Sequence, residues 1–259
     1  MIKFSANLSM LYKEVDFLDR FDRAAIAGFK GVEYHFPYTF EIQPLVDRLG
    51  RNNLTQVMHN LPAGDWSSGE RGIACHPDRV DEFQQGVDQA IEYARALDCK
   101  QVNVLAGIAP EGVVDDVLQD TLLTNIRFAA SKLKDAGISL LIEAINSRDI
   151  PGFYVTSTQQ ALSLINASGS DNVFVQYDIY HMQVMEGDLA MTIGRNLAQI
   201  AHIQFADNPG RNEPGTGEIN FPFLFTYLQE IGYPGWIGCE YQPATTTDAG
   251  MVWLNPYLC

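Results

Sequence analysis

Gly235-Trp-Ile-Gly-Cys-Glu-Tyr241, GWIGCEY, reads as a short buried strand that ends on an acid, Glu240. An ionised carboxylate in a low-dielectric interior is costly unless something compensates it. Glu240 therefore either points into solvent or has a positive partner. Strand alternation turns Cys239 to the opposite face, where it reads as small core filler. The choice for Glu240 rests on whether other strands end in the same way.

Seven β-like runs precede this one. They are Lys3–Asn7, Gly31–Tyr34, Leu54–His59, Lys100–Leu105, Ile138–Glu143, Val173–Asp178 and Ile200–Gln204. Helix-like stretches separate most of them. Asp16 to Gly28 carries Phe17, Leu18, Phe21, Ala24 and Ala25 at helical spacing and stops at a glycine. Leu45, Val46 and Leu49 mark a second helix, and Pro77-Asp78 opens a third that runs to about Leu97. Further helices are expected over Asp116–Ala136, over Thr158–Asn166, through Leu189 and Ile193, and over Phe221–Ile231 after Asn220 as cap. Eight strand-then-helix units in 259 residues match an α/β (β/α)8 TIM barrel in count and length. No composition break divides the chain, so residues 1–259 are read as a single domain. An open doubly wound sheet is the alternative, but NLSMLYKE after the first strand has no Gly-rich dinucleotide turn.

The C-terminal ends of the eight runs carry Asn7, Glu33, His59, Asn103, Glu143, Asp178, Gln204 and Glu240. In a barrel these ends converge on one mouth, where active sites are built. Taken singly, a polar strand end marks only the start of a solvated loop. Taken together, Glu143, Asp178, Gln204 and Glu240 would bring three carboxylates and an amide oxygen into one mouth, where they repel one another without a cation. Four oxygen ligands on rigid strands suit a hard divalent ion, Mg²⁺ or Mn²⁺. The set lacks the cysteine and histidine richness of a zinc site. A metal is thus one candidate partner for Glu240.

The composition excludes several classes. A net charge of -15 repels nucleic-acid phosphates and anionic lipid, so neither is an expected partner. MIKFSANLSM has no apolar targeting core, and no apolar run approaches the roughly 18 residues of a membrane span. Cys75, Cys99, Cys239 and Cys259 are scattered without a C-x-x-C, as expected of reduced thiols in a cytoplasm.

Several segments together carry a specific resemblance. FSANLSMLY (4–12), GVEYHFPY (31–38), HNLPAGDW (59–66) and GERGIAC (69–75) cover the first third. LLIEAIN (140–146), DIPGFY (149–154), QYDIYHMQ (176–183), ADNPGRNEPGTGEINF (206–221) and GCEYQP (238–243) cover the rest. The chain resembles the hydroxypyruvate isomerase family, within the xylose-isomerase-like barrels, nearly end to end. The resemblance implies a cytoplasmic, homodimeric enzyme interconverting hydroxypyruvate and tartronate semialdehyde. It implies that Glu143 and Glu240 are the catalytic pair and that Glu143, Asp178, Gln204 and Glu240 are the metal positions. Related sugar epimerases usually carry histidine where Gln204 stands. A neutral amide oxygen favours Mg²⁺ over softer ions.

Such an isomerisation moves a proton from C3 to C2 through an enediol, with one glutamate as base and the other as acid. His181, three residues past Asp178, is placed to polarise the substrate's carbonyl. Arg71 and Arg211 are the candidates for its carboxylate, since arginine offers a bidentate fork. His59, at the end of the third strand, is expected to face the mouth, as a substrate contact or as a partner of a residue that makes one. His202 reads as a core histidine one layer below Gln204, and His35 and His76 receive no role. Trp66 is expected either to cap the substrate or to pack between subunits. Three rival readings are a 2-oxo-tetronate isomerase or ketose 3-epimerase on the same scaffold, an endonuclease IV-like nuclease, and a non-catalytic sugar-acid binder. Five histidines and the acidic charge oppose the nuclease.

Overall fold

The computed structural model describes residues 2–257, and Cys259 lies outside them. The strands are β1 (Lys3–Asn7), β2 (Gly31–Glu33), β3 (Thr55–Gln56), β4 (His59–Asn60), β5 (Gln101–Val104), β6 (Ser139–Glu143), β7 (Val173–Asp178), β8 (Ile200–Phe205) and β9 (Trp236–Cys239). The helices are α1 (Phe17–Ile26), α2 (Ile42–Asn52), α3 (Val80–Ala96), α4 (Asp115–Asp135), α5 (Thr158–Ser168), α6 (Ile179–Met185), α7 (Leu189–Arg195), α8 (Phe221–Glu230) and α9 (Thr247–Gly250). All the strand pairs are parallel, in the order β3-β2-β1-β9-β8-β7-β6-β5-β4. The two ends of that order, β3 and β4, are halves of one run separated only by Val57 and Met58. Val57 N–H donates to the Val32 carbonyl at 2.8 Å, and Leu61 N–H donates to the Asn103 carbonyl at 2.8 Å. The ring therefore closes through the chain itself, which is the expected eight-unit TIM barrel with its third strand broken in two.

The helices form because each carries an apolar stripe to lay on the strands. In α3, Phe83, Val87, Ala90, Ile91 and Ala94 are buried at helical spacing, and Asp81 and Glu82 favour its positive N-terminal end. In α4, Leu118, Leu122, Ile126, Ala129, Ala130 and Leu133 repeat the pattern, with Lys132 and Lys134 at the C-terminal end. Each large apolar side chain sealed in this layer contributes about 1.5–3 kcal/mol. Two of the elements beyond expectation bear on the site and the core. QYDIYHMQ forms α6 directly after β7, because the Asp178 carboxylate caps it by accepting the Tyr180 and His181 N–H groups. A further helical segment, Met251–Tyr257, follows α9 and packs Trp253 against Phe4, Phe205 and Phe225.

The opening stretch explains one glycine. A Cβ at Gly238 would collide with the carboxylate of Glu33, which lies inside the barrel. Gly238→Ala is expected to destabilise the fold by about 1–3 kcal/mol, the usual cost of overpacking. At roughly 2–4 °C per kcal/mol for a chain of this size, calorimetry reads that as a clear fall in Tm. An unchanged Tm would mean that Glu33 is free to move aside.

Candidate active site

Glu240 follows directly on β9, is buried, and has its partners inside the mouth. The Nε2–H of His35 donates to its Oε1 at 2.6 Å, and Arg211 Nη2 donates to its Oε2 at 3.2 Å. A carboxylate can only accept, so His35 carries its proton on Nε2 in this contact. Burial opposes the charge on Glu240, but the His35 hydrogen bond and the Arg211 guanidinium outweigh it and hold its pKa down at about 2. Arg211 reaches the mouth from a loop tied down by Asp207, whose carboxylate accepts from the N–H groups of Asn208, Gly215, Gly217 and Ile219. The guanidinium lies over the Tyr180 ring, 5.1 Å from its centroid, and 3.9 Å from Asp149 Oδ2.

Glu143 and Asp178, at the ends of β6 and β7, behave in the opposite way. Burial pushes the Glu143 carboxyl well above its ordinary range, and repulsion from Glu240 and Asp178 adds to it. Asn103 Nδ2 donates to its Oε2 at 2.9 Å, and Asn103 also donates to Asn60 Oδ1 at 3.1 Å. Asp178 is raised to about 7 by burial and by Glu240, against the pull of Arg211 and the two cap hydrogen bonds. One mouth thus holds a carboxylate that stays charged and two that hold protons readily. His181 faces Asp178, with Nε2 3.6 Å from Oδ2. Burial pushes its pKa down to about 3, so the ring is neutral.

The raised carboxyls imply a pH-dependent stability. For Asp178, the native state binds more protons than the unfolded chain between its ordinary pKa of 3.8 and about 7. Stability therefore falls as pH rises through that window, and the raised Glu143 pKa acts in the same direction. Glu240, held low, opposes this slope only at the acid end of the window, where the unfolded carboxyl with its ordinary pKa of 4.5 still takes a proton, and adds nothing at higher pH. In metal-free protein, Tm relative to an Asp178→Asn variant is expected to drop between pH 5 and pH 7.5. Parallel Tm profiles for the two proteins would contradict the assigned shift.

Gln204 lies one layer in. Its Nε2 donates to Glu33 Oε1 at 2.7 Å, and its Oε1 accepts from Gln176 Nε2 at 2.6 Å. Glu33 is fully buried and accepts also from Ser5, Asn7 and His202. The carboxylate fixes the amide's orientation, since it requires a donor from Gln204. His202 sits in this layer as a core histidine, 2.9 Å from Glu33 Oε2.

A divalent cation fits the mouth. Glu143, Asp178 and His181 offer ligand atoms within 4.8 Å of one another. Asp178 Oδ2 is buried without a hydrogen-bond partner, and the charge of Glu240 raises the pKa values of both Glu143 and Asp178, as an unneutralised neighbour does.

Two expected contacts lie elsewhere. His59 is fully buried, with its ring against Tyr38 (centroids 6.0 Å apart) and beside the Ala90 carbonyl of α3. Burial lowers its pKa to about 4. The next residue, Asn60, meets Asn103 instead, so the break in the third strand shifts the expected alternation by one. Arg71 donates to the Trp66 and Glu70 carbonyls and stacks on Trp66, with its guanidinium 4.2 Å from the ring centroid. Trp66 in turn packs on Phe36 and His35. Arg71 therefore supports the wall of the mouth, and Arg211 is the guanidinium among its carboxylates.

Sequence alone assigns His35 no role. Its available signal was position: two residues past Glu33, it continues the inward-facing phase of β2. His35→Leu is expected to lower kcat/KM about 10–100-fold, as loss of a supporting hydrogen bond commonly does. The acid limb of the pH–rate profile should move to higher pH, because Glu240 loses a group that holds its pKa down. An unmoved limb would remove His35 from the site.

The chain matches the model of the xylose isomerase-like TIM barrel family over residues 21–257. It belongs to that family. It is 54% identical to hydroxypyruvate isomerase of Escherichia coli (strain K12), covering 99% of this chain and 100% of that one. It is 44% identical to 2-oxo-tetronate isomerase of Cupriavidus necator, covering 100% and 99%. A crystal structure from Brucella melitensis, described as an AP endonuclease of family 2, superposes with a TM-score of 0.97 at 44% identity, covering 99% of each chain. The resemblance to hydroxypyruvate isomerases thus holds over the whole family barrel, and both of these curated relatives are isomerases. No helix among the described residues is long and apolar enough to cross a membrane.

Proposed function

We propose that this family member interconverts hydroxypyruvate and tartronate semialdehyde by proton transfer between neighbouring carbons. The observation that carries the proposal is the contrast between two buried glutamates in one mouth, Glu240 set against His35 and Arg211 and Glu143 against the Asn103 amide alone. Glu240, held charged by His35 and Arg211, takes the proton from C3. Glu143, which retains a proton, delivers it to C2 on the way to the aldehyde. The O3 hydroxyl proton passes to O2, and exchange with solvent returns the proton from Glu240 to Glu143 before the next turnover. The neutral His181 donates to the C2 oxygen as charge develops there. Arg211 pairs with the substrate's carboxylate. Its departure from Glu240 raises the basicity of that carboxylate when the substrate arrives.

Asp178 and Glu240 are the proposed ligands for Mg²⁺ or Mn²⁺; Glu143 joins them only once its proton is on the substrate, and the Gln204 amide oxygen only by giving up its 2.6 Å hydrogen bond from Gln176. Such an ion supplies Lewis-acid stabilisation of the enediolate. The buried thiols of Cys75, Cys99 and Cys239 suit a reducing cytoplasm, and a homodimer is the expected assembly.

The 44% identity to a 2-oxo-tetronate isomerase favours a second reading, in which the substrate is one carbon longer. The same chemistry serves both. A nuclease is disfavoured by the net charge of -15, which opposes approach to DNA. The test is kcat/KM for hydroxypyruvate against 2-oxo-tetronate, with abasic-site DNA as a third arm. A preference of at least about 10-fold for hydroxypyruvate, roughly the discrimination one extra carbon group allows, supports the first reading. The reverse preference supports the second, and cleavage of DNA without isomerisation overturns both.

A further inference from the structure

His181 receives two N–H donors on a single ring nitrogen. The backbone N–H of Asn146 lies 3.3 Å from Nδ1, and the side-chain Nδ2 of Asn146 lies 2.6 Å from the same atom. The backbone group can only donate. The side-chain amide has its orientation fixed by Asp149, whose own N–H donates to Asn146 Oδ1 at 2.7 Å. Asp149 Oδ2 accepts from Asn146 Nδ2 at 3.3 Å and from the Tyr180 hydroxyl at 2.9 Å. Flipping the amide would set oxygen against carboxylate and nitrogen against N–H. Asn146 and His181 are both buried, so solvent cannot supply alternative partners.

Nδ1 is therefore an acceptor with no room for a proton, and the neutral ring carries its proton on Nε2. That nitrogen faces Asp178. A nitrogen that bears a proton has no lone pair for a metal, although His181 lies within ligand distance of Glu143 and Asp178. We infer that Asn146 is a positioning residue that locks His181 in the Nε2–H tautomer, making His181 a hydrogen-bond donor to the substrate's C2 oxygen and not a metal ligand. The substrate half of this inference rests on the proposed isomerisation. The tautomer half stands on the geometry alone.

The test is ¹⁵N NMR of histidine-labelled full-length protein, with the His181 signals assigned by their loss in His181→Gln. The expected wild-type spectrum shows a bare Nδ1 and a protonated Nε2, and added Mg²⁺ leaves the Nε2 proton in place. A proton on Nδ1, or loss of the Nε2 proton when Mg²⁺ is added, would overturn the inference. Asn146→Asp replaces the side-chain donor by an acceptor and is expected to move a proton onto Nδ1. Its kcat should fall about 10²–10³-fold, as when one transition-state hydrogen bond is lost, with KM little changed. Asn146→Ala keeps the backbone donor, so it should keep the tautomer and lose less. A folded Asn146→Asp protein with wild-type kcat would overturn the positioning role. If that variant does not fold, the wild-type and Asn146→Ala spectra still decide the tautomer. Failure of the wild type to isomerise hydroxypyruvate would sink the substrate assignment while leaving the spectrum to be read without substrate.

Discussion

Glu240→Gln is expected to lower kcat by about 10³–10⁴-fold, toward the upper end of what a positioned general base contributes. The substitution keeps the side chain's shape and removes both its charge and its ability to take a proton. His35 and Arg211 then face an amide where they held a carboxylate at 2.6 and 3.2 Å. Part of the amide can still accept one of these donors, so the protein should fold. Arg211 loses its closest charge partner, and the raised Glu143 carboxyl loses one source of repulsion. The steady-state rate and a thermal melt together check the prediction. A folded variant with more than about a tenth of wild-type kcat would place the base elsewhere, because loss of a general base costs at least about 10²-fold.

Asp178→Asn carries the second large effect, and its readout is binding. Asp178 Oδ2 is a buried oxygen with no hydrogen-bond partner, while Oδ1 caps α6. The asparagine can preserve the cap through its oxygen but offers no charge at the unpartnered position. Affinity for Mn²⁺ should fall by about 10²-fold or more, the loss of one charged ligand being worth at least the 10–100-fold effect of losing a supporting group. Wild-type protein at an ion concentration 100 times Kd should gain about 2.7 kcal/mol, several degrees in Tm. The variant should gain almost nothing under the same conditions. Calorimetric titration reads the affinity, and a thermal melt reads the stabilisation. Equal Mn²⁺ affinity in both proteins would remove Asp178 from the ligand set.

Much of the barrel was legible because strands and helices announce themselves locally. Short β-like runs mark the strand positions, and their C-terminal ends bring Glu143, Asp178, Gln204 and Glu240 to one side of the ring without any knowledge of distant contacts. His59 shows where that counting stops. The third run breaks at Val57–Met58, so alternation cannot be carried through it, and Asn60 takes the inward phase. Arg71 shows a second limit. It lies in a loop whose path is set by side-chain contacts, among them its own stacking on Trp66, and no periodicity encodes these. The partner of Glu240 illustrates a third. The sequence offers a metal as one candidate, and the structure adds the His35 imidazole and the Arg211 guanidinium against the carboxylate. The first joins positions 205 residues apart across the closure of the ring between β9 and β1, and the second spans 29 residues between the ends of neighbouring strands β8 and β9. Helix α6 is not legible in the sequence because it is short and its cap, Asp178, is also the end of β7.

The most direct measurement follows hydroxypyruvate in deuterated buffer by proton NMR, with the Mg²⁺-loaded enzyme and Glu240→Gln beside it. Proton transfer through Glu240 and Glu143 predicts tartronate semialdehyde carrying solvent deuterium at C2, and loss of both product and exchange in the variant. Product formed at the wild-type rate by Glu240→Gln, or a folded wild-type enzyme that neither exchanges nor converts hydroxypyruvate, would contradict the account.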